Sequence, residues 1–339
     1  MSLLTSHDQQ HIARMFMQEQ RVNGIYYKLI RDLSELMAKY SPPKSPQGGT
    51  WYRNREIERL IDLRLKRFAV EFEKHIDEET LKAWNLSNLK NDRLVERFLE
   101  NLSVTQIMRN GMMQQNMNAY EAFRVRKIEG MNLSGNVWKL AEQMKTSVEL
   151  FLESGIATGR SAEKIARDLR QLLDKPDKVF RRVRDETGKL VPSKPMKNYN
   201  PGRGVYRSSR MNAVRLAATE TNMAYRAADF ERWSQIDFIL GFEVHRSQNH
   251  KPCVVCDALV GKYPKEFKFV GWHPFCICYA TPLQLNHDDF ADFLIDEKVP
   301  ADKYVKDIPP AARKFFENNE KYRENSYAGR NYREWNGAK

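Results

Sequence analysis

The stretch "KPCVVCDALVGKYPKEFKFVGWHPFCICYATP", residues 251–282, holds every cysteine of a 339-residue chain: Cys253, Cys256, Cys276 and Cys278, with His273 among them. The Cys253-x-x-Cys256 spacing lets two thiolates reach one ion from a tight turn, and tetrahedral zinc then needs two more donors. His273, Cys276 and Cys278 offer three for those two places. In extended chain Cys276 and Cys278 point to the same side, which gives a four-cysteine site. Alternatively His273 replaces one of them, and Pro274 keeps that histidine in an extended backbone. The leading expectation is therefore one structural zinc. The competing readings are buried free thiols serving as small core residues and a redox dithiol, for which the strand and helix order is wrong. A hydrolytic zinc needs an open position and a base, and only Asp257 and Glu266 lie between the two ligand pairs.

The bulk of the chain does not require the cluster as a staple, because 339 residues suffice for two or three domains with cores of their own. The opening "MSLLTSHDQQHIARMF" turns polar after four residues, unlike a signal peptide, and no apolar run approaches bilayer length. A soluble protein of the reducing cytosol is expected, where clustered thiols hold metals more often than disulfides. The formal net charge is +12. Much of that surplus lies between Lys175 and Arg215, where twelve basic residues face three acids. Lys178, Arg181, Arg182, Arg184, Lys194, Lys197, Arg203, Arg207 and Arg210 are candidate nucleic-acid contacts in this segment; a solvated basic linker fits the same charge.

Working outward, residues 5–40 have helical periodicity, with Thr5 or Ser6 as cap and Ile12, Phe16, Ile25, Ile30, Leu33 and Leu36 as the apolar stripe. "SPPKSPQGG", residues 41–49, ends that helix. Periodicity resumes at "IERLIDLRLKRFAVEFEKHI" and runs to about Arg126, with breaks expected near Asn85 and Asn101. Met108, Met112, Met113 and Met117 cluster there, as helix-contact filling or an adaptable surface. A helical hairpin is expected over 134–173, then a Pro- and Gly-rich basic excursion to Gly204, and then one long alanine-rich helix, "SSRMNAVRLAATETNMAYRAADFERWSQ". "FILGFEVHRS" alternates like a strand just before the cysteines. A short helix from "PPAARKFF" and the tail "YAGRNYREWNGAK" close the sequence. The expected fold is mainly α with a small α+β C-terminal module. Its expected parts are an N-terminal helical region (1–130), a central module (131–285, with the excursion at 175–210) and a C-terminal helix and tail (286–339).

The succession "LSGNVWKLAEQMKTSVELFLESGIATGRSAEKIARDL", "RLAATETNMAYRAAD", "CVVCDALVGKYP" and "HPFCIC" resembles the Mu F-like, or SPP1 gp7-like, phage head morphogenesis proteins. The matching positions are Arg215, Thr219, Glu220, Cys253, Cys256, Leu259, Gly261, His273, Pro274, Cys276 and Cys278. The resemblance spans residues 133–283, and Ile277 stands where the family's C-R-C close has arginine. It implies a minor capsid protein of a tailed phage or prophage, near the portal and other head proteins, present in host cytoplasm during assembly and then in the virion head, and linked to DNA packaging or delivery. Beside the resemblance, a non-enzymatic role, DNA contact through the basic segment, oligomerisation and no membrane are expected.

Two other classes fit parts of the chain. One is a nuclease using His245, His250 and His273. The other is a zinc-containing nucleic-acid-binding protein whose tail stacks bases on Tyr327, Tyr332 and Trp335 beside Arg330 and Arg333.

Overall fold

The computed structural model describes residues 4–38, 55–128, 130–157, 182–192, 205–206, 208–247, 253–296 and 298–337. These residues are mainly α-helical, with one small three-stranded antiparallel sheet near the C-terminus. The chain divides into two compact units: Met1–Phe16, Asp77–Val125 and Ala218–Lys339 form the first, Met17–Ile76 and Arg126–Ala217 the second. The first thus draws on all three stretches into which the sequence was divided.

Helix α1 (Ser6–Ala38) starts at Thr5, whose hydroxyl accepts the Asp8 N–H at 3.1 Å and donates to the Asp8 carboxylate at 2.6 Å. This reciprocal pair caps the first turn as sequence spacing suggests. The buried stripe, however, is His11, Met15, Gln18, Val22, Tyr26, Leu29, Ile30 and Leu33, which shares Ile30 and Leu33 with the stripe read from the sequence. It is rotated from the apolar stripe counted in the sequence, and Phe16 is 58% exposed. Counting apolar residues shifts the face because four polar side chains, His7, Asp8, His11 and Gln18, lie inside.

Helix α2 (Arg55–Phe98) runs without interruption through the break expected near Asn85. Asparagine breaks helices when its amide competes for local backbone groups. Here Asn88 Nδ2 donates to the Gln115 carbonyl and Asn91 Oδ1 accepts from Trp233, so both amides are held by partners far along the chain. The break near Asn101 is present, and short helices α3 (Gln106–Met112) and α4 (Met117–Val125) follow it. Met112 is buried, Met108 and Met113 pack against the core, and Met117 is exposed.

In the second unit, α5 (Leu133–Ala157) buries Val137, Leu140, Met144 and Val148, as its spacing predicts. The hairpin's second helix, expected after Ser161, lies outside the described residues. Within the basic excursion, β1 (Arg182–Arg184) and β2 (Leu190–Pro192) pair antiparallel around a turn in which the Asp185 carboxylate accepts the Thr187 and Lys189 N–H groups. A short hairpin thus occupies part of the basic excursion.

The long alanine-rich helix is α6 (Ser209–Gln235). Strand β3 (Ile239–His245) is the central strand, flanked by β4 (Gly261–Tyr263) and β5 (Tyr279–Gln284), with Phe242 opposite both Tyr263 and Pro282. Between the first two strands lies the short helix α7 (Val254–Ala258). Helices α8 (His287–Asp296), α9 (Pro310–Asn318), α10 (Glu320–Asn325) and α11 (Tyr327–Gly337) complete the described residues.

The core of the first unit is largely aromatic. Phe98 stacks on Phe238 at 3.7 Å and Phe316 on Tyr332 at 4.4 Å, while Trp335 meets Phe267 edge-on at 6.2 Å. Tyr332 and Trp335 are therefore buried core residues, which corrects the reading of the tail as a base-stacking surface.

Candidate metal centre

The cluster assembles from two short pieces of backbone. Cys253 precedes α7 and Cys256 lies in its first turn, so both sulfurs come from one tight bend. Arg246 secures that bend, donating to the Cys253 carbonyl at 3.0 Å and pairing with Asp257 at 2.5 Å. The second piece is a turn closed by the Cys276 N–H on the His273 carbonyl at 3.0 Å, with Phe275 in the left-handed region at φ +61. A side chain in that region costs roughly 1 kcal/mol or more, so neighbouring contacts must hold the turn.

Helix α6 supplies those contacts from one face. The Thr219 hydroxyl accepts the Phe275 N–H at 3.4 Å, Asn222 Nδ2 donates to the Cys276 carbonyl at 3.1 Å, and Arg226 Nη2 donates to the Cys278 carbonyl at 3.4 Å. Positions i, i+3 and i+7 share a helix face, so three polar side chains grip three successive points of the cysteine segment. Asn222 Oδ1 also accepts from His11 Nε2 at 3.0 Å, tying the first turns of α1 to the knuckle. Thr219 was visible as part of the resemblance. Asn222 and Arg226 were not singled out, although three polar residues at helical spacing in an alanine-rich helix were there to be noticed.

Two triads of donors have ligand atoms mutually within 4.8 Å: Cys253, Cys256 and His273, and Cys256, Cys276 and Cys278. Cys256 belongs to both. Zinc–sulfur bonds of about 2.3 Å in a tetrahedron place ligand atoms roughly 3.8 Å apart, so the spacing suits one small ion. His273 Nδ1 donates to the Pro274 carbonyl at 2.8 Å, which leaves the Nε2 lone pair 3.3 Å from Cys253 Sγ and 3.1 Å from Cys256 Sγ. That tautomer is the one a metal-ligating imidazole needs. Hydrogen bonds from Cys256 and Cys278 push the Cys276 thiol well below its usual range, while bonding to Cys276 holds the proton on Cys256. The five residues form a sulfur and imidazole cluster, buried at Cys256, Cys276 and Cys278 and half-buried at Cys253 and His273, able to bind a metal ion.

Gly271 makes the approach to this segment possible. Its φ is +102, and a Cβ there would stand 3.1 Å from Asn222 Nδ2 and 3.3 Å from Cys276 Cβ. Gly271→Ala is expected to cost about 1–3 kcal/mol of unfolding free energy, because it combines backbone strain with displacement of the Asn222 contact. Denaturant titration checks the loss, and chelator competition should show weaker metal retention.

Behind the knuckle lies a buried ionic cluster that pattern reading missed. Asp8, Arg226 and Asp229 are each 1% exposed and Lys90 is 7% exposed. Lys90 Nζ lies 2.6 Å from Asp229 and 3.3 Å from Asp8, and Arg226 Nη1 lies 3.3 Å from Asp229. Ser87 and Asn91 donate to Asp229 at 2.8 and 3.0 Å, and Tyr225 donates to Asp8 at 3.0 Å. Burial opposes ionisation of Asp8, but Lys90 and Arg226 overcome it and hold the carboxyl below its ordinary range.

The other sequence candidates scatter. His245 Nε2 is bonded to the Thr281 hydroxyl at 2.8 Å, and His250 lies outside the described residues. Of the basic candidates, Lys178, Arg181, Lys194, Lys197, Arg203 and Arg207 lie outside them as well. Arg182 begins β1, exposed Arg184 donates to the Gly188 carbonyl at 2.7 Å, and Arg210 donates to Asn23 at 2.7 Å. No helix among the described residues is long and apolar enough to cross a membrane. Compared with protein-family models, with curated proteins and with solved structures, the chain matches none of them.

Proposed function

We propose that this chain is a minor capsid protein of a tailed bacteriophage or prophage, a Mu F-like head morphogenesis protein with one structural zinc ion. It acts in few copies, near the portal inside the assembling shell, in head assembly and DNA packaging or delivery. The observation that carries this reading is the grip of α6 on the cysteine segment. The threonine-bearing helix and the "HPFCIC" close, the two most distinctive parts of the resemblance, make one physical unit through Thr219, Asn222 and Arg226.

The ion's role is to clasp that unit. His273, Cys253 and Cys256 hold it together with Cys276 or Cys278, from two pieces of chain that share no strand pairing with each other. Sulfur-rich donation from buried thiols suits zinc, and a filled donor set suits a structural ion better than a catalytic one. Exposed Arg184 and the surrounding basic residues lie in the segment offered to packaged DNA, while portal and other head proteins are the protein partners. The test is compositional. Procapsids and virions purified from cells expressing the chain should contain its peptides by mass spectrometry, at a few copies per particle. Absence from both particles overturns the proposal.

A further inference from the structure

Within the first unit, a cavity of about 160 Å³ opens beside the buried ionic cluster. Its walls come from the first turn of α1 (Thr5 to Asp8), one face of α2 and residues Ala280 to Pro282 of β5. Lys90, Arg93 and Arg97 project into it from α2 at helical spacing, with Asp8 as the one carboxylate. That carboxylate is already engaged by Lys90, Arg226, Tyr225 and Thr5. Arg93 and Arg97 are exposed and have no carboxylate partner among the described residues. The cavity therefore carries an excess of fixed positive charge that no carboxylate among the described residues pairs with at Arg93 and Arg97.

Two further features point into the same space. His7 is 6% exposed and lines the cavity, and its side chain has no hydrogen-bond partner among the described residues. Burial, and after it the charges of Arg93, Lys90 and Arg97, lower its pKa, which records a positive field at the imidazole. The α1 N-terminus adds donors. Thr5 accepts the Asp8 and Gln9 N–H groups, leaving those of Ser6 and His7 as the open pair at the positive end of a 33-residue helix.

We propose that this cavity binds a phosphate-class dianion, either inorganic phosphate or the terminal phosphoryl group of a small phosphate ester. Arg93 and Arg97 clamp its oxygens from the mouth, and the Ser6 and His7 N–H groups with the His7 ring receive it at the floor. Planar guanidinium forks and paired N–H donors match the many acceptors of a tetrahedral oxyanion. The volume is ample for the five heavy atoms of phosphate and leaves an ester's organic part at the opening. Leu94, Trp233 and Pro282 form an apolar side that keeps water from the ion and strengthens its contacts.

The experiment uses the purified full chain in chloride buffer, titrated calorimetrically with inorganic phosphate and separately with ribose 5-phosphate. Saturable binding at one site is expected, weakened about tenfold or more in R93Q/R97Q, since two charge-assisted contacts are lost. The double variant should melt like the wild type without ligand, because both side chains are exposed. Tighter binding of ribose 5-phosphate assigns the site to phosphate esters, and equal or weaker binding assigns it to free phosphate; both support the proposal. No saturable binding of either ligand, or equal binding by R93Q/R97Q, overturns it.

Discussion

Asp229→Ala is expected to lower the unfolding free energy by about 3–5 kcal/mol, the range for breaking a buried, hydrogen-bonded ion pair from one side. Asp229 accepts from Lys90, Arg226, Ser87 and Asn91. Alanine would leave two buried cations sharing Asp8 alone and would strand two side-chain donors. Water cannot easily repay them, because Asp8 and Arg226 are each 1% exposed. A surface pair provides the contrast. Lys28 and Glu71 meet at 2.8 Å, but their side chains are 48% and 37% exposed, so Glu71→Gln should cost less than about 1 kcal/mol. Guanidinium denaturation of both variants beside the wild type checks the pair of values. Similar small losses in both would mean that the buried cluster relaxes or admits water.

The second large effect concerns the metal. Elemental analysis of chain purified without chelator is expected to find about one zinc per molecule, and chelation should lower the melting temperature by roughly 10–20 °C. The size follows from a net loss of about 5 kcal/mol and a sensitivity of about 2–4 °C per kcal/mol for units of this length. Zinc-finger peptides lose more, about 10–16 kcal/mol, and unfold outright. Here Tyr263, Phe267, Trp272 and Trp335 also hold the surrounding core, so the chelated chain should stay folded. Cys256→Ser should reproduce the effect of chelation, because Cys256 is the donor common to both triads. A metal-free preparation with unchanged melting would show that the thiols act only as small core residues.

The cysteine cluster was legible because its information is local: C-x-x-C and C-x-C fix directions within a turn or an extended segment. Helix existence was legible for the same reason, since α1 and α6 carry their periodicity within themselves. What failed depended on distant residues. The buried face of α1 was misplaced because Asp8 and His11 are accommodated by Lys90, Arg226 and Asn222 from elsewhere in the chain. The break expected near Asn85 is absent, and the asparagines that follow it, Asn88 and Asn91, are occupied by Gln115, Trp233 and Asp229. The tail looked like a stacking surface because an arginine and aromatic alternation has the same composition whether the rings face solvent or a core. Which of these holds is decided by Phe267 and Phe316, and neither neighbours the tail in sequence.

The seat of α11 against those two phenylalanines also sets an order of events during synthesis. Tyr332 and Trp335 complete the same aromatic cluster that contains Val95, Phe98 and three of the cysteines. Residues near position 95 therefore leave the ribosome long before their final neighbours exist, and must wait while more than two hundred further residues are added. Contacts of such sequence separation form late and slowly. The thiols, made only about sixty to eighty residues before Trp335, spend that shorter interval in an unfinished core, open to solvent and to metal, so the ion can enter before α11 shuts the door behind it.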